Sequence, residues 1–248
     1  MLEIQTIACL KDNYAYLLIA PGACAVVDPS EAAPIETALA ARGLKLTHIL
    51  NTHHHWDHTG GNEALKKAHG ALVVGPKRDA ERIPAIDIGV DEASGWKFGD
   101  YEVRILEVPA HTKGAIAFVL EGCAFTGDTL FAMGCGRLFE GTPAMMQNSL
   151  AKLAALPADT KVYCGHEYTA NNARFAMTLE PGNGALQARL REVEALRGTP
   201  SVPSTIALEL KTNPFLRTGS AEIRATLKME TATDVEVFAE IRRRKDAF

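Results

Sequence analysis

Three consecutive histidines stand inside the chain, in Thr52-His53-His54-His55-Trp56-Asp57-His58, directly after the short β-rich run His48–Asn51. Nothing else in the sequence restricts the fold as tightly, because so many imidazoles and carboxylates must be gathered where a strand runs out into a loop, a usual place for a site. In an extended segment alternate residues face the same way. His53 and His55 can therefore converge on one ion while His54 points away, and Asp57 and His58 reach a second ion as the chain turns. A structural histidine needs no such company, and H-x-H-x-D-H arises by chance in a chain of this size on the order of once in ten thousand.

Two ions need more donors than this loop holds. His111 follows Val108-Pro109-Ala110, Asp128 lies in Thr126-Gly127-Asp128-Thr129, and His166 lies in Cys164-Gly165-His166-Glu167. Each stands at the end of an expected strand beside small residues that permit close approach. Five imidazoles and two carboxylates, with no thiolate, suit zinc and also accept iron or manganese. Two ions about 3.5–4 Å apart share a carboxylate and a water, drawing the pKa of that water from about 15.7 towards ~7, which is the chemistry of hydrolysis. Asp128 is the expected bridge, since a carboxylate can divide two oxygens between ions. His48 and His69 lie in a strand and at a helix end and read as structural. Cys135, between two glycines, reads as a small loop residue rather than a nucleophile.

Around these motifs, β-rich runs recur at Leu2–Ile7, Tyr14–Ile19, Cys24–Asp28, His48–Asn51, Leu72–Val74, Val103–Val108, Ile116–Leu120, Ala124–Thr126 and Val162–Cys164. Helical spacing at Ala33–Arg42, Asn62–His69 and Ala144–Leu156 interrupts them, which makes this part α/β. After about residue 165 the pattern becomes helical, at Asn171–Leu179, Leu186–Arg197, Ala221–Leu227 and Val235–Lys245, the last opened by a capping box of Thr233 and Glu236. Gly198–Ser204 reads as a bend between helices. The 248 residues thus divide into a metal-bearing domain, 1–165, and a smaller all-helical domain, 166–248.

Composition limits the partners. The net charge of −4, carried as −5 on residues 1–165 (14 basic, 19 acidic) and +1 on residues 166–248 (12 basic, 11 acidic), is too mild to imply a nucleic-acid or membrane partner by itself. No apolar run approaches the roughly 18 residues of a membrane span. Five cysteines without a C-x-x-C pair fit neither a disulfide framework nor a cysteine zinc knuckle, so a reducing, cytoplasmic setting is expected.

Taken together the motifs resemble the metallo-β-lactamase-fold hydrolases and, within them, glyoxalase II, the hydroxyacylglutathione hydrolases. The shared segments are Asp12-Asn13-Tyr14, Val27-Asp28-Pro29, Thr52–Asn62, His111-Thr112, Gly127–Phe131, Gly134–Arg137, Gly165–Thr169, Asn213–Arg217 and Arg242–Phe248. They run through essentially the whole chain. The resemblance implies an αββα sandwich followed by a helical domain that helps bind glutathione. It implies His53, His55 and His111 on a first metal, Asp57, His58 and His166 on a second, and Asp128 with a hydroxide between them, Asp57 and Asp128 being the catalytic carboxylates. The activity it implies is hydrolysis of S-D-lactoylglutathione to D-lactate and glutathione, the second step of methylglyoxal detoxification, by a monomer.

It further implies that Arg137, Tyr168, Arg242 and Lys245 bind the glutathione moiety. Arg242 and Lys245, three apart on a helix, share a face, whereas Arg243 and Arg244 read as a solvated helix end that complements the dipole. Three positions depart from the family pattern: Arg137 and Phe139 stand where lysine and tyrosine are common, and Ala115 stands where many relatives have histidine. The alternatives within the superfamily are a lactonase, a β-lactamase, a nuclease or a mononuclear iron dioxygenase, and outside it a non-catalytic glutathione- or metal-binding module. The acidic first part argues against a nuclease. A dioxygenase would leave His58 and His166 superfluous, and a binding module has no need of seven donors.

Overall fold

The computed structural model describes residues 2–196 and 198–248. Two six-stranded sheets lie face to face. The first runs in chain order: β1 (Glu3–Cys9), β2 (Asn13–Ala20), β3 (Ala23–Val27), β4 (His48–Leu50), β5 (Leu72–Pro76) and β6 (Ile88–Val90). Strands β3 to β6 are parallel, with α1 (Ala32–Ala41) crossing from β3 to β4, and α2 (Trp56–Thr59) and α3 (Asn62–His69) from β4 to β5. The second sheet contains β7 (Trp96–Phe98), β8 (Tyr101–Glu107), β9 (Ile116–Leu120) and β10 (Cys123–Gly127). A small hairpin of β11 (Leu130–Phe131) and β12 (Gly134–Cys135) and helix α4 (Pro143–Ala154) follow, before β13 (Lys161–Cys164) pairs parallel to β10.

Residues 167 to 248 carry α5 (Thr169–Leu179), α6 (Gly184–Ala195), α7 (Ile206–Thr212), α8 (Ala221–Leu227) and α9 (Asp234–Asp246). They depart from an all-helical reading in one place: Ser204–Thr205 forms β14, pairs antiparallel with β13 and closes that edge of the second sheet. Two residues carry no periodicity, so nothing in the sequence marks them as a strand. The same holds for β6, β7, β11 and β12, none longer than three residues, which the sequence pattern also leaves out. Helix α7 was concealed in the same way, yet it has a proper start, because the Thr205 hydroxyl accepts the Leu208 N–H. The expected capping box of Thr233 and Glu236 is formed in full. The expected end of the Leu186–Arg197 helix, Arg197, lies outside the described residues, as does Met1.

Both sheets are covered on both faces, which explains why their strands read as unbroken apolar runs. Along β2, Tyr14, Tyr16 and Leu18 face the second sheet, while Ala15 and Leu17 face α1 and α3 through Ile35, Leu39 and Leu65. Across the second sheet, Phe118 and Phe125 point inward and Ala117, Ala124 and Val162 outward. The outward side is covered by α4 and the C-terminal helices together: Leu150 and Leu153 share one apolar cluster with Phe175, Phe215, Phe238 and Ile241. Complete burial of Phe238 and Ile241 contributes roughly 1.5–3 kcal/mol each. A buried polar staple adds specificity, with Glu209 accepting from Met133 N at 2.7 Å and Ser204 Oγ at 2.5 Å, and Asn213 Nδ2 donating to the carbonyls of Phe131 and Gly134. All five cysteines are buried and unpaired. Among the described residues no helix is long and apolar enough to cross a membrane.

Candidate metal centre

The seven donor residues leave the carboxyl ends of four strands on one rim of the sandwich: His53 to His58 after β4, His111 after β8, Asp128 after β10 and His166 after β13. This is where α/β sheets place ligands, because side chains from several strand ends converge there. The loop after β4 is tied across the sandwich by Ile116 N donating to Thr52 O at 2.9 Å, and it enters α2 through His55, extended at φ −60°, ψ 144°.

The donors form two groups. His53 Nε2 and His111 Nε2 lie 3.2 and 3.0 Å from His55 Nδ1. In the second group, His58 Nε2 and His166 Nε2 are 3.3 Å apart, and Asp57 Oδ2 lies 3.7 and 3.5 Å from them. Asp128 touches both groups, with Oδ2 3.4 Å from His111 Nε2 and 3.3 Å from His166 Nε2, and Oδ1 3.4 Å from His58 Nε2. A tetrahedral ion with metal–nitrogen bonds of ~2.0–2.1 Å holds its donors about 3.3 Å apart, so these separations fit. Asp128 Oδ1 is buried with no hydrogen-bond partner, a costly arrangement for a carboxylate unless a cation satisfies it. Gly165 permits this approach, since a Cβ there would run into Asp128 Oδ1 and His58 Cε1.

The far nitrogens of the histidines are held from behind, which fixes ring orientation and tautomer. His58 Nδ1 lies 3.0 Å from Asp28 Oδ2, His166 Nδ1 2.9 Å from Asp12 Oδ1, and His111 Nδ1 donates to the Arg137 carbonyl at 2.9 Å. Asp28 also accepts from Thr52 N at 2.8 Å and Thr52 Oγ1 at 2.6 Å, and that hydroxyl meets His53 Nδ1 at 3.0 Å. Asp28, His53 and His58 therefore also cluster, but through nitrogens and oxygens already engaged in hydrogen bonds. Asp28 occupies the left-handed region, φ 47°, strain of the kind that functional sites retain. His54 faces away, as its place in the alternation requires. His48 packs edge-on against Trp96 and Phe98, and His69 pairs with Glu36.

Electrostatics separates the two groups. Burial, reinforced by neighbouring histidines, holds His53 well below the ordinary histidine range and His55 down to about 4, and burial lowers His111, so each keeps a lone pair free. Burial opposes protonation of His58 and His166 as well, but there Asp128 prevails, with Asp28 assisting at His58, and both are raised. Burial likewise opposes ionisation of Asp128, and His58 and His166 overcome it, holding the carboxyl well below its usual range. The centre thus favours one negative carboxylate facing concentrated positive charge.

Above the donors opens a cavity of about 710 Å3, and all four residues expected to bind glutathione line it. They are not equivalent. The Arg137 side chain is two-thirds exposed, with its guanidinium 3.8 Å from Asp246. Tyr168 stacks face to face on His166 at 4.8 Å, and burial pushes its phenol up. Lys245 Nζ bonds Asn171 Oδ1 and lies 5.2 and 5.1 Å from the ring centres of Phe175 and Phe248. Arg242 is buried and largely engaged: Nε and Nη2 meet Asp246 Oδ1 at 3.1 and 2.8 Å, Nη1 donates to Cys135 O at 2.9 Å, and the guanidinium covers Phe215. Cys135 is buried below it, and burial pushes its thiol up to about 11, which suits a loop residue and not a nucleophile. Arg243 and Arg244 both pair with Glu240 on their own helix. Phe139 stands exposed at the rim with its ring 5.6 and 5.2 Å from those of His55 and His111.

Sequence reasoning gave no role to Asp12, Asp28 or Thr52. Each is a single polar residue after a strand or in a turn, without spacing to betray it, and only the fold brings it behind a histidine.

A family model described as Metallo-beta-lactamase superfamily matches residues 11–166, and one described as Hydroxyacylglutathione hydrolase C-terminus matches residues 167–248. The sandwich and its rim of histidines and carboxylates define a metallo-hydrolase of that superfamily. The fold alone is shared with the crystal structure of BLEG-1 B3 metallo-beta-lactamase, at a TM-score of 0.68 and 22% identity, covering 86% of this chain and 99% of that one. Proteins named hydroxyacylglutathione hydrolase from Methylococcus capsulatus and Cereibacter sphaeroides are 57% and 54% identical, each alignment spanning 100% of this chain and 99% of the relative. The chain belongs to the hydroxyacylglutathione hydrolase family.

Proposed function

We propose that the protein hydrolyses S-D-lactoylglutathione and related 2-hydroxyacylglutathione thioesters to the hydroxy acid and glutathione, the second step of methylglyoxal detoxification. The observation that carries this reading is that five of the seven donor residues, His55, Asp57, His111, Asp128 and His166, and a cationic wall from the last helix line the same cavity. In this reading residues 1–165 form the catalytic domain and residues 166–248 the glutathione-binding domain, acting as a monomer on a small-molecule substrate, with no nucleic-acid or membrane partner. The cytoplasm is the expected compartment for five unpaired cysteines.

His53, His55 and His111 would hold one divalent ion and Asp57, His58 and His166 a second, with Asp128 facing both. When bound, the ions, zinc by the donor set with iron or manganese as alternatives, supply Lewis acidity that polarises a carbonyl and acidifies water. The chain's own groups do the rest. Asp57, the more exposed of the two catalytic carboxylates, and Asp128 orient the attacking water. Glutathione carries two carboxylates, which Arg137 and Lys245 offset directly, while the engaged Arg242 contributes charge to the wall and holds Asp246 in place. Tyr168, fixed on the His166 ring, directs its phenol into the cavity as a donor. A cysteine thiol of pKa about 8.5 leaves as thiolate with little acid assistance, so the reaction needs no dedicated proton donor. Loss of the thioester ultraviolet absorbance in purified protein tests the reading, and absence of turnover with two metal ions bound refutes it.

A further inference from the structure

Four of the five donor histidines are oriented from behind through their far ring nitrogens, by Thr52, Asp28, Asp12 and the Arg137 carbonyl. His55 is the exception. Its Nδ1 faces the other donors, and its Nε2 has no hydrogen-bond partner among the described residues. What His55 lacks, its neighbour has. His54 Nδ1 lies 2.8 Å from Asp79 Oδ2, with the two side chains only 10% and 5% exposed.

Asp79 occupies a kink, φ −109°, ψ 17°, within the turn Lys77–Arg82 that follows β5. Its carboxylate is pressed against Gly114, three residues after His111, where a Cβ would collide with Asp79 Cγ. Arg82 lies 3.7 Å from Asp79 Oδ1 and 2.7 Å from Glu140, and Glu140 accepts the Lys113 N–H at 2.7 Å. One buried carboxylate therefore touches both the loop that carries His53 and His55 and the loop that carries His111.

We propose that Asp79 is the positioning residue for the His53–His55–His111 group, acting through His54. Side chains alternate along the extended loop, so an anchor that holds His54 outward aims its two neighbours inward. His55 presents Nδ1, the ring nitrogen nearer the backbone, so its donor atom follows the backbone with little slack. The His58 and His166 side does not rely on this anchor, being held by Asp28 and Asp12. The proposal rests on the two-ion reading of the site.

Metal stoichiometry and affinity test it without recourse to activity. Wild-type protein, Asp79→Ala, Asp79→Asn and Glu36→Gln are reconstituted with Co2+ or Zn2+ and compared by equilibrium dialysis, elemental analysis and the Co2+ visible spectrum. Asp79→Ala is expected to retain one tightly bound equivalent and to weaken the other about 10- to 100-fold, the usual cost of losing an outer hydrogen-bond partner. Asp79→Asn keeps an oxygen for the His54 N–H and should restore most of that affinity. Glu36→Gln removes the charge from a histidine–carboxylate pair away from the centre, His69–Glu36 at 3.0 Å, and should leave both equivalents intact. If Asp79→Ala does not fold, His54→Leu is measured in its place with the same expectation. Two equivalents at unchanged affinity in Asp79→Ala, or in His54→Leu, overturn the proposal alone. Wild-type protein that binds no metal overturns the two-ion reading and the proposal with it.

Discussion

Lys245 offers a test of the glutathione wall that separates charge from shape. Burial, and then the neighbouring Arg242, lowers its ammonium to about 8. A lowered lysine pKa means the cation is present below about pH 8 and lost as pH rises through it. From that value the side chain is about nine-tenths charged at pH 7 and about one-tenth charged at pH 9. A hydrogen bond between an ammonium and a substrate carboxylate is worth about 1.5–3 kcal/mol, a factor of roughly 10–150 in affinity, so weak binding by the neutral amine does not mask the titration. KM for a glutathione thioester should therefore rise about five- to tenfold from pH 7 to pH 9. Lys245→Arg, charged throughout this range, should flatten the rise. The ratio of the two KM values at each pH cancels every titration that both enzymes share, those of substrate and metal centre included. A ratio that stays constant from pH 7 to pH 9 would refute the assignment of Lys245 to substrate binding.

Other perturbations probe the rest of the site. Asp128→Ala should lower metal content as well as rate, because it removes the carboxylate whose oxygens lie 3.3–3.4 Å from histidine nitrogens of both donor groups; full occupancy of both ions in that variant contradicts the bridge. Arg242→Ala should raise KM and also lower the melting temperature, since it strips the Cys135 carbonyl and Asp246 of a buried partner at a cost of about 1–3 kcal/mol; thermal denaturation with unchanged Tm would mean the side chain is not structural.

The clustering of the candidate metal donors was legible in the sequence, and for a physical reason. H-x-H-x-D-H lies on one short loop, so its geometry is local, and His111, Asp128 and His166 each follow an apolar strand that announces where the chain emerges. The cationic wall was legible only as two cations sharing one helix face and as what the resemblance implies. That Arg242 is buried against Phe215 and held by Asp246, while Lys245 bonds Asn171, depends on where α9 docks, and no local pattern reports that. The strands β6, β7 and β14 escaped for the opposite reason, being too short to show a period and existing only because a neighbouring strand offers free backbone groups. Asp79 escaped because its partner, His54, looked idle in the alternation.

The pairing of Ser204–Thr205 with β13 bears on how the protein behaves in solution. An open strand edge is a template for another chain, and β13 would be such an edge, since its other side is already taken by β10. The two-residue strand caps it with a segment too short to recruit anything further. A chain cut between α6 and this segment would lose more than a wall of its cavity: it would expose a row of unpaired backbone groups beside the apolar face that α9 covers. Such a fragment should be prone to self-association, whatever remains of its metal-binding loops.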